Sequence, residues 1–273
     1  MVAGVEIPID RNASAVQMAQ EIFGDGVTVV SASYTGDRDS SGIYSDGDSI
    51  SPGVTPGDTG VMLSTGDLRS FTNNSWWQSN LSSNTTSSSS GPNNVAEFNA
   101  AAGTNTYDAA YLDVDFIPTG DVMTMQFVFA SEEYPEYASG AYQDFVGVWI
   151  NGTQVDLEVG DGDIDPGNLN AGSNGNLFID NTADQFNTEM DGFTVTMTLT
   201  IPVNSGELNS IRIGIADTSM LDKSREITGR RLFKLADAAL YGAKRGGRNR
   251  VEVATSALEA DLSEDSAASP SVD

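Results

Sequence analysis

The sequence predicts a mainly β protein: an antiparallel β-sandwich or jelly-roll-like domain with one short N-terminal helix, followed by an appended C-terminal helix and short strand. Three observations carry that expectation. Many strand-length apolar runs are bounded by Gly, Asp, Asn or Pro; the cleanest of them alternates with a period of two; and helical spacing recurs only near the two ends of the chain. At 273 residues and 39% hydrophobic, with 11 Phe, 8 Tyr and 3 Trp, the chain can bury a core for one large all-β domain or two smaller ones.

The first element is a helix over 13–23, where Ala15, Met18, Ala19 and Ile22 share a face at i, i+3, i+4, i+7 and Asn12 or Ser14 serves as cap. Beyond Gly26 the period shifts to two. VTVVSASY (27–34), GVMLSTG (60–66), YDAAYLDVDF (107–116), the alternating Met123, Met125, Phe127 and Phe129, DFVGVWI (144–150) and IRIGIAD (211–217) each read as a strand. In FTVTMTLTIPV (193–203) six apolar residues alternate with Thr194, Thr196, Thr198 and Thr200, which predicts one half-buried strand with a solvated threonine face. Two loops are too long to be turns. Residues 72–94 are almost all Ser, Thr and Asn apart from Trp76, Trp77 and Leu81, which predicts a flexible surface loop; the alternative, functional reading is that Trp76 and Trp77 form an exposed aromatic contact for a glycan or a protein surface. The second is GDGDIDPGNLNAGSNGN, residues 160–176.

Composition removes whole classes of function. The formal net charge is 13 − 39 = −26, which repels polyanions and excludes nucleic acid as a partner. Histidine and cysteine are absent, so there is no Ser-His-Asp or Cys-His nucleophile, no His- or Cys-ligated zinc and no disulfide. Carboxylates, hydroxyls, amides and hard cations remain. No run approaches the ~18 apolar residues of a transmembrane helix, and the opening MVAGVEIPIDRN lacks the pattern of a cleaved signal peptide.

The charge is unevenly placed. Residues 1–219 hold 4 basic and 30 acidic side chains, 4 − 30 = −26, whereas 220–273 hold 9 of each sign. This predicts a β domain over 1–219, a helix-strand tail over 220–254 and a disordered acidic tail over 255–273. A tail helix from about 224 to 245, carrying Ile227, Leu232, Leu235, Ala239 and Leu240 on one side, would seal an exposed edge of the sandwich.

Calcium best accounts for the carboxylates, because a hard cation that takes 6 to 8 oxygens suits a domain with so few positive side chains. Glu132, Glu133 and Asp144 lie among apolar residues where uncompensated charge is costly, and one of these glutamates is expected to share a cation with Asp144 and with Asp115 or Asp191. In an extended segment Glu132 and Glu133 point to opposite faces, so only one of them lines a given site. Asp161, Asp163 and Asp165 begin like an EF-hand loop, but Gly167 falls one place late and Gly172 stands where a bidentate Glu is needed; they form a second candidate, and Asp37, Asp39, Asp46 and Asp48 a third. Asp113 and Asp115 share one strand face, either solvent or site, with solvent favoured.

Read together, GVMLSTG (60–66), GPN (91–93), YDAAYLDVDFIPTGD (107–121), FVFASEEYPEY (129–137), DFVGVWING (144–152), DGFTVTMT (191–198) and IRIGIADTS (211–219) resemble the choice-of-anchor L domain over about residues 10–219. The resemblance implies a bacterial, extracellular or surface-attached β module without catalytic activity. With no signal peptide in view, export would be of the type I kind, and a cytoplasmic location is the alternative. The tail segment ADAALYGAKRGGRNRV (236–251) is similar to the end of a GGDEF diguanylate cyclase domain, which implies vestigial phosphate contacts at Lys244 and Arg248. The signature turn and the metal-binding aspartate of that family are missing, so cyclase activity is expected to be absent. The functions in order of expectation are thus a non-enzymatic surface adhesion module stabilised by Ca²⁺, a nucleotide-binding or inactive cyclase remnant, and a carboxylate glycosidase.

Overall fold

A computed structural model describes residues 1–81, 89–135, 138 and 143–218, all within the first of the chain's two units, Met1–Met220. The predicted tail helix and strand, Lys244 and Arg248, and the acidic 255–273 segment lie outside the described residues.

In chain order come β1 (Ile9–Asp10), α1 (Ala15–Ile22), β2 (Val27–Thr35), β3 (Ser41–Tyr44), α2 (Gly47–Ile50), β4 (Gly60–Leu63), α3 (Ala96–Ala102), β5 (Tyr107–Pro118) and β6 (Val122–Phe127). After them come β7 (Ala130–Ser131), β8 (Asp144–Ile150), β9 (Thr153–Gln154), β10 (Phe178–Asp180), β11 (Gly192–Thr194), β12 (Met197–Pro202) and β13 (Asn209–Asp217). The largest sheet has the order β2-β5-β13-β8-β9; smaller ones are β1-β3-β4, β10-β11-β7 and β12-β6, and every pairing is antiparallel. The mainly β, antiparallel fold expected from the period-two runs is the one observed.

Side-chain alternation across the large sheet creates two cores. The inner face presents Ala110, Leu112, Val114 and Phe116 of β5, Ile211, Ile213 and Ile215 of β13, and Val148 and Ile150 of β8. Met197, Leu199 and Ile201 of β12, Met18 and Ala19 of α1, and Leu157, Ile164 and Leu169 from the following loops close that core. On the outer face Phe98 of α3 joins Ala109, Phe145, Trp149 and Ala216. Register sets Gly214 of β13 beside Gly147 of β8, so the sheet has no side chain where the Phe98 and Trp149 rings sit, 4.9 Å apart and edge to face.

Several boundaries differ from the sequence expectation, each for a local reason. The helix starts two residues late because Ser14 and Gln17 form a capping box, with the Ser14 hydroxyl accepting from the Gln17 amide and the Gln17 side chain accepting from the Ser14 amide. The 193–203 run is two strands, since β11 and β12 belong to different sheets; at the crossing Thr194 is buried and its hydroxyl accepts from the Phe129 amide, leaving Thr196, Thr198 and Thr200 exposed. Loop 160–176 is not a free surface loop. It drives Ile164 and Leu169 into the core, while the amides of Asn168, Asn170 and Asn174 bond to its own backbone carbonyls. β13, the strand before the expected junction, lies between β5 and β8 and is therefore no edge needing a seal; the edges of this sheet among the described residues are β2 and β9.

Candidate functional site

The 72–81 segment carries Trp76 and Trp77, and it is built into the domain rather than loose. Sequence composition argues for a flexible loop because Ser, Thr and Asn bury nothing apolar; the structure instead buries Thr72, whose hydroxyl accepts from the Ile7 amide, and Ser79 and Asn80, which donate to carboxylates of residues 184–191. Asp184 Oδ1 accepts from the Ser79 amide at 3.0 Å, the Asn80 amide at 2.9 Å and the Ser79 hydroxyl, and its Oδ2 accepts from the Val2 amide at 3.2 Å. Glu189 Oε2 accepts from the Leu81 amide at 2.8 Å and its Oε1 from the Asn73 side-chain amide. Asp191 Oδ1 accepts from the Asn80 amide group at 2.8 Å. Carboxylates make this possible because each offers about four lone-pair sites to a backbone that has no strand to pair with.

On this base the two indoles project into solvent. Trp76 and Trp77 are 75% and 63% exposed, with ring centroids 4.3 Å apart and planes inclined by 36°, whereas the third tryptophan, Trp149, is buried. The exposure expected of the pair is therefore observed, on an ordered support rather than a flexible one. Asp184 and Glu189, which provide that support, went unnoticed in the sequence; the only signal was a run of acids and amides, DNTADQFNTEMD, with no positive partner nearby.

The carboxylates expected to share a cation divide into separate groups. Asp144, at the end of β8 on the inner face, accepts from the Thr65 hydroxyl at 3.0 Å and the Ser131 hydroxyl at 3.0 Å. Ser131 Oγ in turn accepts from the Glu133 amide, and Ser131 pairs with Gly192, the neighbour of Asp191. Glu132, Glu133, Asp144 and Asp191 thus converge on one neighbourhood around Ser131. Glu132 and Glu133 sit in a turn after β7, not in an extended strand, so alternation does not separate them; both carboxylate oxygens of Glu132 and one of Glu133 are buried. Asp217 adds a fifth acid, opposite Asp144 across the β8–β13 pairing.

Asp115 is not part of that group. It lies on the outer face of β5 and accepts from Ser31, eight residues along the strand from Tyr107, the partner of Asp217, a separation of roughly 26 Å at the usual rise of a strand. Its face-mate Asp113 is taken by Arg212, whose Nε and Nη2 donate at 2.7 and 3.0 Å; Arg212 also pairs with Glu97 and lies over the Tyr111 ring. Asp37 likewise acts as a turn cap, accepting from the Asp39 and Ser90 amides, which pull its carboxyl down to about 2. Among the described residues no three carboxylates meet in the geometry that holds a metal ion.

Asp161, Asp163 and Asp165 occupy the loop that bridges to β8 through Ile164 and Val146. Burial, then the charges of Asp165, Asp161 and Asp156, push the Asp163 carboxyl up to about 6. A carboxyl raised in the folded state favours folding below its ordinary pKa and loses that advantage as pH rises from about 4 through 6. Asp163→Asn is therefore expected to match the parent near pH 4 and exceed it at pH 7 by about 1 kcal/mol, after allowance for solvent screening of a partly exposed group. Urea unfolding at both pH values in the presence of a chelator checks this; equal stability at pH 7 would show that the loop tolerates the charge. Asp37 titrates near 2 and stays outside this window.

Comparison with family models gives a match to the description "Choice-of-anchor L domain" over residues 8–225, about four-fifths of the chain. The chain belongs to the choice-of-anchor L family. This family is a bacterial surface-associated domain without catalytic assignment, and the match spans every described strand, from β1 beginning at Ile9 to β13 ending at Asp217. No curated protein and no solved structure matched the choice-of-anchor L chain. The cyclase-like reading of 236–251 gains no support from these comparisons. Among the described residues of the choice-of-anchor L domain, no helix is long and apolar enough to cross a membrane.

Proposed function

We propose that this choice-of-anchor L domain is a non-enzymatic module for attachment at the bacterial surface, with Trp76 and Trp77 as its contact point. One observation carries the proposal: two adjacent tryptophans are held in water by a buried polar base. Exposing that much indole is unfavourable unless something covers it part of the time, and a disposable loop would not be tied down through Asp184 and Glu189. The proposal assigns no catalytic residue; Asp144, the strongest candidate acid, has each oxygen engaged by a hydroxyl. Beads coated with the full chain should be retained on bacterial cells, and a Trp76→Ala/Trp77→Ala coating should be lost several-fold more readily under flow. Equal retention of both coatings, or none by the parent, overturns the attachment reading.

Calcium stabilisation is a separate part of the proposal, supported by the raised Asp163 carboxyl among Asp156, Asp161 and Asp165. The described carboxylates form no ready-made cage, so an ion would have to draw loop oxygens together as it binds. Calorimetric titration of the chelated chain decides it. Heat of binding and a melting temperature that rises in millimolar calcium are expected, both diminished in Asp163→Asn; an unchanged melting temperature removes calcium from the account.

A further inference from the structure

We infer that the Trp76–Trp77 platform takes an uncharged saccharide. This rests on the attachment reading and names the class of ligand for it. The argument starts from size. At 75% and 63% exposed, two indoles offer roughly 300 Å² of contact, with Leu81 the other exposed large hydrophobic of the same segment. A stable protein partner needs about 800 Å² from each side, with a larger apolar centre than this. Two rings 4.3 Å apart and inclined by 36° lie against one another, so each leaves one outer face to solvent, an area that matches a single sugar ring packing its C–H face on the indole.

The rim supplies the second argument. Residues flanking the rings are neutral and hydrogen-bonding: Asn74 is exposed and Gln78 is half-buried. Amides of this kind pair with sugar hydroxyls, which both donate and accept. The third argument is electrostatic. Residues 1–219 carry 4 − 30 = −26, and the loop rests directly on Asp184 and Glu189, so uronate, sulfate or sialate groups are repelled from the platform while neutral sugars are not. Finally, the base fixes the backbone on both sides of the two tryptophans before any ligand arrives, so little backbone ordering entropy is lost on binding, which matters for a contact this small.

Intrinsic fluorescence reports the event, because Trp149 is buried and only Trp76 and Trp77 respond to an added ligand. The full chain should be titrated with uncharged glucose, mannose, galactose and N-acetylhexosamine oligosaccharides, and with uronate- and sulfate-bearing counterparts of similar length. The expected result is a saturable blue shift with at least one uncharged series and at least tenfold weaker binding of its charged counterpart. Trp76→Ala or Trp77→Ala should each weaken that binding tenfold or more, and Trp→Phe at either position by less, with the melting temperature unchanged because both rings are exposed. Binding that survives both alanine variants, or no response to any uncharged oligosaccharide at millimolar concentration, overturns the saccharide inference. If beads still attach to cells through the tryptophans in that second case, attachment stands and the partner is a protein. If beads fail to attach but oligosaccharides bind, the attachment reading falls and the saccharide site stands.

Discussion

Asp184→Ala lowers the stability of the domain by about 3 kcal/mol and detaches the tryptophan segment from its base. The side chain is almost fully buried and accepts from the Ser79 and Asn80 amides, the Ser79 hydroxyl and the Val2 amide. Truncation leaves those donors without an acceptor, at about 1–3 kcal/mol for each that water cannot reach. Some of that is recovered where the Val2 end opens to solvent. Asp184 also has φ 53, a left-handed conformation that Asp and Asn adopt more readily than Ala, which adds to the loss. For a domain of this size the change corresponds to a melting temperature lower by roughly 6–12 °C. Asp184→Asn keeps the left-handed preference and one acceptor oxygen, so it should lose less than half as much. Thermal melts establish the order of the three proteins. Hydrogen exchange at Ser79 and Asn80 separates local detachment from global loss, since these amides should exchange fastest relative to β5 and β13 in the alanine variant. Unchanged protection at both amides would show that the segment holds its shape without Asp184.

Gly214→Val is expected to be at least as damaging, by a different physical route. A Cβ at Gly214 would stand 2.4 Å from Tyr111 Cβ, 2.8 Å from the Ala110 carbonyl oxygen and 2.8 Å from the Phe98 ring. The backbone contact cannot yield, because β13 is hydrogen-bonded on both sides, to β5 and β8. Relief requires β13 to part from β5 at Ala110 and Tyr111 as well as Phe98 to leave the sheet, which breaks strand pairing and exposes a fully buried ring at a cost of about 3 kcal/mol or more. Gly147, its neighbour in register, makes an informative comparison. There a Cβ meets chiefly the Trp149 ring, a side chain that can turn, so Gly147→Ala should cost less than Gly214→Ala. Guanidinium unfolding with the near-ultraviolet signal of Trp149 as probe measures both. A Gly214→Ala protein as stable as the parent would mean that the outer core is looser than the packing of Phe98 and Trp149 indicates.

The two predictions mark where reading residues in order works and where it stops. Alternation in 107–116, 144–150 and 211–217 located β5, β8 and β13, the middle of the large sheet, because one buried face leaves a mark every second residue. Short strands such as β1, β7 and β9 left none, being two residues each and defined by their partners. The acids at Glu132, Glu133, Asp144 and Asp191 were recognised as unusual, and they do gather near Ser131; Asp115 does not, since its similar local pattern lies at the far end of another face. The exposed tryptophans were legible from their polar surroundings. Their rigid support was not, because Asp184 and Glu189 lie 105 and 108 positions from the Ser79 and Leu81 amides they accept from.

Charge, absence of His and Cys, strand periodicity and the family pattern are properties of neighbouring residues or of totals, and the sequence alone determined them. Which carboxylate holds which amide, which glycine faces which ring, and whether a serine- and asparagine-rich stretch is loose or anchored were decided by tertiary structure. The physical reason is common to all three. Hydrogen-bond satisfaction and close packing depend on groups brought together across the fold, and a donor carries no record in its own sequence of the acceptor that will meet it.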